Sequence, residues 1–209
     1  VHRPLYSTDP QWACDVSFVG GWEPRREQFL SAIAENGADL KVWGSYWDHT
    51  RDGRWSLRRH LVLNRLAGRD PYRISRKPAL ARALQGGEVY GDDYARALTN
   101  ARIGVGFLRT TWPDQHTTRL FEIPACGSLL IADRTDEHRE MFEEGIEADF
   151  FSSGAELTDK IAFYTANEPI RARLAAAGLE RCHRSGYAYS ARLAAVLTTI
   201  PGLPMPALS

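Results

Sequence analysis

The residues best suited to chemistry lie at the start of a predicted helix, where a polar loop runs into an apolar segment. The loop begins at Arg109 and ends with two hydroxyl residues, Thr117 and Thr118, and the helix begins at Arg119. A helix N-terminus presents unpaired N–H groups and a positive dipole end, which together bind phosphate. The hydroxyls and the guanidinium add donors, so we interpret this turn as a phosphate site. We expect both threonines to be helix caps whether or not they contact phosphate, and the alternative for Arg119 is a surface ion pair.

Acidic and imidazole groups accompany this turn. Glu122 lies one turn into the predicted helix, and a carboxylate there can accept hydrogen bonds from both hydroxyls of a ribose. Asp114 and His116 lie in the preceding loop and are the candidate catalytic groups. The pattern predicts a nucleotide site, and the alternative for Glu122 is a solvated carboxylate on the helix surface.

Two other turns follow predicted strands and carry candidate ligand contacts. Gly20 and Gly21 end the first strand and precede Arg25 and Arg26, whose guanidiniums are candidates for contact with a diphosphate. Tyr90 lies in the second turn and is a candidate to stack on a base. Parallel α/β sheets bind ligands beyond the C-terminal ends of their strands, where the strand order reverses. We therefore expect these turns to form one site with the loop described above.

Several other kinds of site are not indicated. No G-x-G-x-x-G follows the first predicted strand and no acidic residue ends the second, which argues against a dinucleotide site. A phosphate loop of the G-x-x-x-x-G-K-[ST] type and a G-x-S-x-G nucleophile elbow are also missing. The three cysteines and six histidines show no metal-ligand spacing, so we expect no metal site.

Alternating strands and helices position these turns. A strand at 15–19, a helix at 23–36 and a strand at 40–44 make the β–α–β unit of a parallel sheet. Further strands are predicted at 88–90, 103–108, 128–132 and 148–151, with helices at 78–84, 92–101, 118–126, 137–144, 169–183 and 187–198 and one that a capping box opens at 153. Asp92 or Asp93 is the expected N-cap of the helix at 92–101. The pattern predicts a doubly wound parallel α/β sheet.

Residues 48–87 interrupt this alternation. Ten Lys or Arg residues and two Asp residues between positions 51 and 82 give a local net charge of +8, although the whole chain has a net charge of zero. We predict a helical, basic insertion outside the sheet, either as a solvated face or as a contact for an anionic acceptor or another domain. The balanced overall charge does not indicate a nucleic-acid partner, and no apolar run is long enough to span a membrane.

One block of sequence resembles a known family. Residues 119–133 read R-L-F-E-I-P-A-C-G-S-L-L-I-A-D, which is similar to the R-x-F-E-x-x-A-C-G-x-x-L-x-x-D block of group 1 glycosyltransferases, and in particular of the CgeB-like (spore maturation protein) family. Shorter matches at 15–20, 87–91, 101–107 and 142–145 extend the resemblance over about residues 14–190. The resemblance implies a GT-B fold, in which two Rossmann-like domains face each other across a cleft. This chain would be the second domain, which holds the donor's nucleotide diphosphate.

The resemblance also implies roles for single residues. Glu122 matches the second, ribose-binding Glu of the Glu-x7-Glu motif of the related family 4 enzymes. The first Glu of that motif falls on Asp114, a departure that bears on the contact with the donor sugar. GT-B enzymes need no bound metal, which agrees with the missing D-x-D motif. The nucleotide sugar is then a substrate, and no cofactor is expected.

We therefore predict the donor-binding half of a metal-independent glycosyltransferase that uses a nucleotide-diphosphate sugar and an unknown acceptor. Residues 1–200 would form the Rossmann-like domain and 201–209 a tail, with the N-terminal acceptor domain outside this chain and the isolated chain inactive. The alternative is a non-catalytic nucleotide- or saccharide-binding module derived from such a transferase. The odd number of cysteines predicts reduced thiols and a cytoplasmic protein.

Overall fold

A single parallel sheet organises the protein. The computed structural model describes residues 2–47, 78–110, 113–187 and 189–199. Within them, five parallel strands are arranged in the order β2-β1-β3-β4-β5. The strands are β1 (Cys14–Val19), β2 (Leu40–Trp43), β3 (Ala101–Gly106), β4 (Leu129–Asp133) and β5 (Asp149–Phe151). The predicted doubly wound α/β sheet is confirmed.

Helices connect the strands and cover both faces of the sheet. Numbered over the described residues, they are α1 (Pro24–Glu35), α2 (Pro78–Ala83), α3 (Gly91–Thr99), α4 (Arg119–Ala125), α5 (Asp136–Met141), α6 (Gly154–Ala166), α7 (Glu168–Arg184) and α8 (Tyr189–Thr198). Local sequence explains several of their first turns. The Oγ of Ser153 accepts the N–H of Glu156 at 3.2 Å and so begins α6 as the capping box predicts. Pro169 lies in the first turn of α7, where its missing N–H costs no hydrogen bond.

The core lies in two layers, one on each side of the sheet. In β4, Leu129 and Ile131 point into the layer beneath α1 and α6, whereas Leu130 and Ala132 point into the layer beneath α3 and α4. This alternation follows from the two-residue period of a strand. Because both faces are covered, β4 is apolar along almost its whole length. Each large side chain buried here stabilises the fold by roughly 1.5–3 kcal/mol.

The predicted strand at 88–90 is wrong. Gly86 and Gly87 adopt positive φ angles of 81° and 72°, and this left-handed backbone interrupts the extended run before a ladder can form. Tyr90 then has the extended backbone of a helix N-cap, although its side chain makes no capping hydrogen bond to the helix. Helix α3 consequently begins at Gly91, earlier than a cap at Asp92 or Asp93 would place it.

Only the end of the predicted insertion lies among the described residues. The helix expected from Pro78 is present as α2, but the chain then joins the sheet, because Leu84 forms an isolated parallel bridge with Val42 in β2. The helical segment outside the sheet therefore ends at Ala83 and does not extend to residue 87. The prediction for 48–77 lies outside the described residues. In the described part of the chain, every helix is too short or too polar to traverse a lipid bilayer.

Candidate functional site

The strand order reverses between β1 and β3. From β1 the chain moves to β2 on one side and then returns to β3 on the other, and such a switch point opens a crevice beyond the strand ends. Arg119, the first residue of α4, donates from Nε to the carbonyl oxygen of Val19, the last residue of β1, at 2.7 Å. This bond joins two of the predicted turns, the one after β1 and the one before α4.

Positive charge accumulates at this crevice. Arg26 is 6% exposed, and it donates from Nη1 to the carbonyl oxygen of Gly21 at 2.8 Å and pairs with Glu23 at 3.2 Å. Its Nε has no hydrogen-bond partner among the described residues. Burial lowers the pKa of Arg26, and the nearby charges of Arg119 and Arg109 lower it further, while Glu23 raises it. Arg26 and Arg119 both donate to backbone carbonyl oxygens at the end of β1, and with the charge of Arg109 acting on Arg26 they provide a site for an anion of high charge.

Arg25 occupies a different position from its neighbour. Both of its terminal nitrogens bond the carboxylate of Asp133 at the end of β4, one of them at 2.9 Å, and this hydrogen bonding raises the pKa of Arg25. Asp133 also accepts the backbone N–H of Leu108 at 2.8 Å, and the guanidinium lies over the ring of Phe29. Arg25 thus ties α1 to the ends of β3 and β4.

The turns after β1 and β2 meet backbone to backbone. Gly44 has a φ of +145°, and a Cβ built on it would lie 2.1 Å from the carbonyl oxygen of Gly20. Its N–H donates to Gly87 at 2.8 Å, and the indole of Trp47 donates to Gly20 at 2.9 Å. Gly20 and Gly21 are therefore fixed by contacts with the end of β2, which sequence reasoning did not identify. The signal available was the Trp-Gly pair that ends the strand.

Glu122 links α4, in which it lies, to α3. Its Oε2 accepts a hydrogen bond from the hydroxyl of Tyr94 in the first turn of α3, and its Oε1 lies 3.7 Å from Nε2 of His2. The pKa of Tyr94 is raised by burial first and by the charge of Glu122 second. The carboxylate is thus anchored at one oxygen and is not a freely solvated surface group. Tyr94 was not identified from the sequence as a partner of this carboxylate.

The remaining predicted contacts lie at the starts of α3 and α4. Tyr90, just before α3, has a ring that is 73% exposed, and its hydroxyl bonds Glu88, which raises the pKa of Tyr90. Thr118 is the N-cap residue of α4, but its side chain makes no capping hydrogen bond. The expected role of Thr118 as a side-chain helix cap is therefore wrong, because its backbone is already helical at φ −55° and ψ −28°. Thr117 is half-buried.

The two candidate catalytic groups lie on the loop after β3. His116 is exposed and bonds the carboxylate of Glu137 in α5, and Thr135 holds the same loop by donating its hydroxyl proton to the carbonyl oxygen of Gln115 at 2.8 Å. Asp114 is also exposed. The structure therefore directs His116 toward α5, whereas Glu122 faces α3.

Comparison with solved structures gives the same fold. HepE (Alr3699) of Anabaena, in complex with UDP and glucose, matches with 14% identity over 89% of this chain and 49% of its own, at a TM-score of 0.58. The C-terminal domain of the group 1 glycosyl transferase LpcC from Francisella tularensis matches with 12% identity over 88% of this chain and 94% of its own, at 0.55. Sucrose-phosphate synthase from Thermosynechococcus elongatus matches with 16% identity over 88% and 45%, at 0.56.

These similarities establish the architecture of the chain. The chain spans about half the length of HepE, and its parallel sheet with flanking helices matches the C-terminal domains of GT-B glycosyltransferases. No curated protein matches the sequence. The sequence profile of the family described as "Glycosyl transferase-like" matches residues 25–198, which is most of the chain. The chain therefore belongs to the glycosyl transferase-like family.

Proposed function

We propose that this chain is the donor-binding domain of a glycosyltransferase that uses a nucleotide-diphosphate sugar, and that it is CgeB-like. The observation that carries the proposal is that Arg26 and Arg119 both donate to backbone carbonyl oxygens at the end of β1, at the switch point of the sheet, where the charge of Arg109 also acts on Arg26. A diphosphate is the ligand that such a charge cluster fits best. The complex of HepE with UDP and glucose supports the assignment by analogy of fold.

Each part of the nucleotide has a candidate partner. The diphosphate would lie against Arg26 and Arg119, with the hydroxyls of Thr117 and Thr118 as further donors, and Gly20 and Gly21 would let the backbone approach it. Glu122 would accept the ribose hydroxyls, and the exposed ring of Tyr90 would stack on the base. Arg25 would act indirectly, since its guanidinium is engaged by Asp133.

The reaction follows from these contacts. An acceptor oxygen attacks the anomeric carbon of the donor sugar, and the bond from that carbon to the diphosphate breaks. Guanidiniums that are already in place stabilise the charge that develops on the leaving diphosphate, so we propose that no metal is required. Asp114 is the candidate contact for the sugar, and His116 remains a weaker candidate for acid–base catalysis. The acceptor and its base would come from an N-terminal domain outside residues 1–200.

A second candidate function is a binding module without turnover. It is favoured by one observation: the bond of His116 to Glu137 directs this imidazole toward α5, whereas Glu122, the proposed ribose contact, bonds Tyr94 in α3. A nucleotide would still bind at the guanidinium cluster, so binding alone does not separate the two functions. Transfer of sugar by the protein together with its acceptor domain would separate them.

A melting-temperature series tests the proposed site. The 209-residue chain is heated with UDP, GDP, ADP, TDP or CMP, and at least one nucleoside diphosphate should raise the melting temperature, because a ligand that binds only the folded state stabilises it. The corresponding monophosphate should give a smaller shift, since it carries less charge to the guanidiniums. Arg119→Gln should reduce the diphosphate shift, whereas Arg173→Gln, an exposed arginine on α7, should not. No shift with any nucleoside diphosphate would contradict the proposal.

A further inference from the structure

The hydroxyl of Tyr94 makes a contact that the proposed site does not yet use. Tyr94 lies in α3 and packs against the core layer beneath α3 and α4, and within the described residues its hydroxyl donates one hydrogen bond, to Oε2 of Glu122. A largely buried hydroxyl requires a partner, and here the partner is the carboxylate proposed to bind ribose. Burial and the charge of Glu122 both raise the pKa of Tyr94, so the phenol stays protonated and remains a donor.

The two oxygens of Glu122 are therefore not equivalent. Oε2 is fixed by Tyr94, whereas Oε1 accepts no hydrogen bond from any residue in the described ranges. His2 approaches Oε1 only to 3.7 Å, and its ring meets that of Tyr94 edge to face at 5.7 Å between centroids. A carboxylate anchored at one oxygen has its plane set, and the second oxygen keeps its lone pairs for a ligand.

We propose that Tyr94 is a positioning residue that orients Glu122 toward the ribose hydroxyls and thereby makes the site selective for ribonucleoside diphosphates over 2′-deoxyribonucleoside diphosphates. This inference rests on the proposed function. Its consequence is a donor class: sugars carried on thymidine diphosphate, which has no 2′-hydroxyl, are poor donors. A carboxylate that must rotate into place before it can bind would lose part of this discrimination, because the ordering of its side chain opposes binding.

The measurement is a ratio of affinities. Dissociation constants are determined by calorimetry for UDP and 2′-deoxy-UDP, GDP and 2′-deoxy-GDP, and ADP and 2′-deoxy-ADP. In the unaltered chain the ribonucleotide of the pair that binds best should be about tenfold tighter, which is the size expected for one hydrogen bond to a charged group. In Tyr94→Phe, which keeps the ring and removes only the donor, the ratio should fall to about threefold or less.

Two further variants separate positioning from a merely structural effect. Tyr164→Phe is the matched control, because Tyr164 in α6 also donates its hydroxyl proton to a carboxylate, that of Asp149 at 2.7 Å. Tyr164 belongs to the core layer on the other side of the sheet from Tyr94. Tyr164→Phe should lower the melting temperature but leave the tenfold ratio intact. In Glu122→Gln the ratio should be small, and adding Tyr94→Phe to it should change the ratio no further.

Each outcome bears on one proposal. If no nucleoside diphosphate binds, the proposed function fails, and the role of Tyr94 fails with it. If nucleotides bind but Tyr94→Phe keeps the tenfold ratio, the nucleotide site stands and the positioning role is wrong. A loss of discrimination in Tyr94→Phe that persists undiminished in the Glu122→Gln background would show that Tyr94 acts without Glu122, which also overturns the inference.

Discussion

A buried histidine makes the stability of the domain depend on pH. His138 in α5 is 3% exposed, and its Nδ1 bonds the backbone carbonyl oxygen of Asp133 at 2.5 Å. A carbonyl only accepts, so Nδ1 carries the proton, and Nε2 has no hydrogen-bond partner among the described residues. Adding a second proton would place an uncompensated charge in the core, and burial accordingly lowers the pKa of His138 from 6.5.

The sign of the effect follows from proton binding. Below about pH 6.5 the unfolded chain takes up a proton at this position more readily than the folded chain does. The free energy of unfolding is therefore highest, as far as His138 is concerned, above about pH 6.5. It decreases as the pH falls from 6.5 toward the lower pKa that His138 has in the folded state. Urea unfolding between pH 7.5 and 5 should show this decrease, and His138→Gln should flatten it relative to the unaltered chain. If the free energy of unfolding fell equally steeply with pH in both proteins, the pH dependence would belong to groups other than His138.

Single residues of the candidate site were predictable to different degrees. The positions of Glu122 and Arg119 in the first turn of a helix could be predicted, because the local sequence marks where that helix begins. Tyr94 and Gly44 could not, since their roles arise from contacts with residues that are distant in sequence, Glu122 on another helix and Gly20 in the turn after β1. The sequence predicted only that Arg109 begins the loop. In the folded protein its charge lowers the pKa of Arg26, which is distant in sequence.

Helix α7 contains a glycine whose replacement should have the opposite effect from helix propensity. A Cβ built on Gly178 would lie 2.5 Å from the backbone carbonyl oxygen of Glu147 and 3.3 Å from the side chain of Pro124. In an open helix, Ala is more stable than Gly by about 1 kcal/mol. Here backbone would have to move, so Gly178→Ala should lower the free energy of unfolding by about 1–3 kcal/mol.

The control for this variant lies on the same helix. Ala172 is exposed, and Ala172→Gly should cost about 1 kcal/mol from propensity alone. Urea unfolding of both variants measures the two effects independently. A stabilised Gly178→Ala protein would show that α7 does not pack closely against the segment before β5.

Elements with strong local signals were predicted well, and those that depend on pairing were not. The apolar face of α1 and the capping box of α6 define those helices without tertiary information. The run at 88–90 has the composition of a strand, but two glycines with positive φ precede it. The chain pairs with β2 through Leu84 instead. Which of two neighbouring segments forms the bridge depends on tertiary contacts and not on propensity.

The architecture of the whole molecule leads us to expect that this chain, tested without an acceptor domain, binds a nucleotide but transfers no sugar. In a two-domain cleft enzyme, closure brings donor and acceptor into attack geometry and excludes water, and this chain spans about half the length of HepE. We expect the 209-residue chain to bind a nucleoside diphosphate but to transfer no sugar. Incubation with UDP-, GDP- and ADP-sugars and chromatography of the products measures this directly. Efficient transfer by the chain alone would place an acceptor site within these residues.

The carboxylate of Asp133 has a consequence for hydrogen exchange. It accepts the amide of Leu108, a residue just beyond the end of β3, while it also binds Arg25 from α1. Loop amides ordinarily exchange with deuterium after small local openings, but this proton should be released only when the ends of β3 and β4 and the start of α1 separate together. Leu108 should therefore exchange as slowly as the amides inside β3, and Arg25→Ala should accelerate it selectively. The exchange rate of one loop amide would then measure how often β3, β4 and α1 separate at the end of the sheet where the donor is proposed to bind.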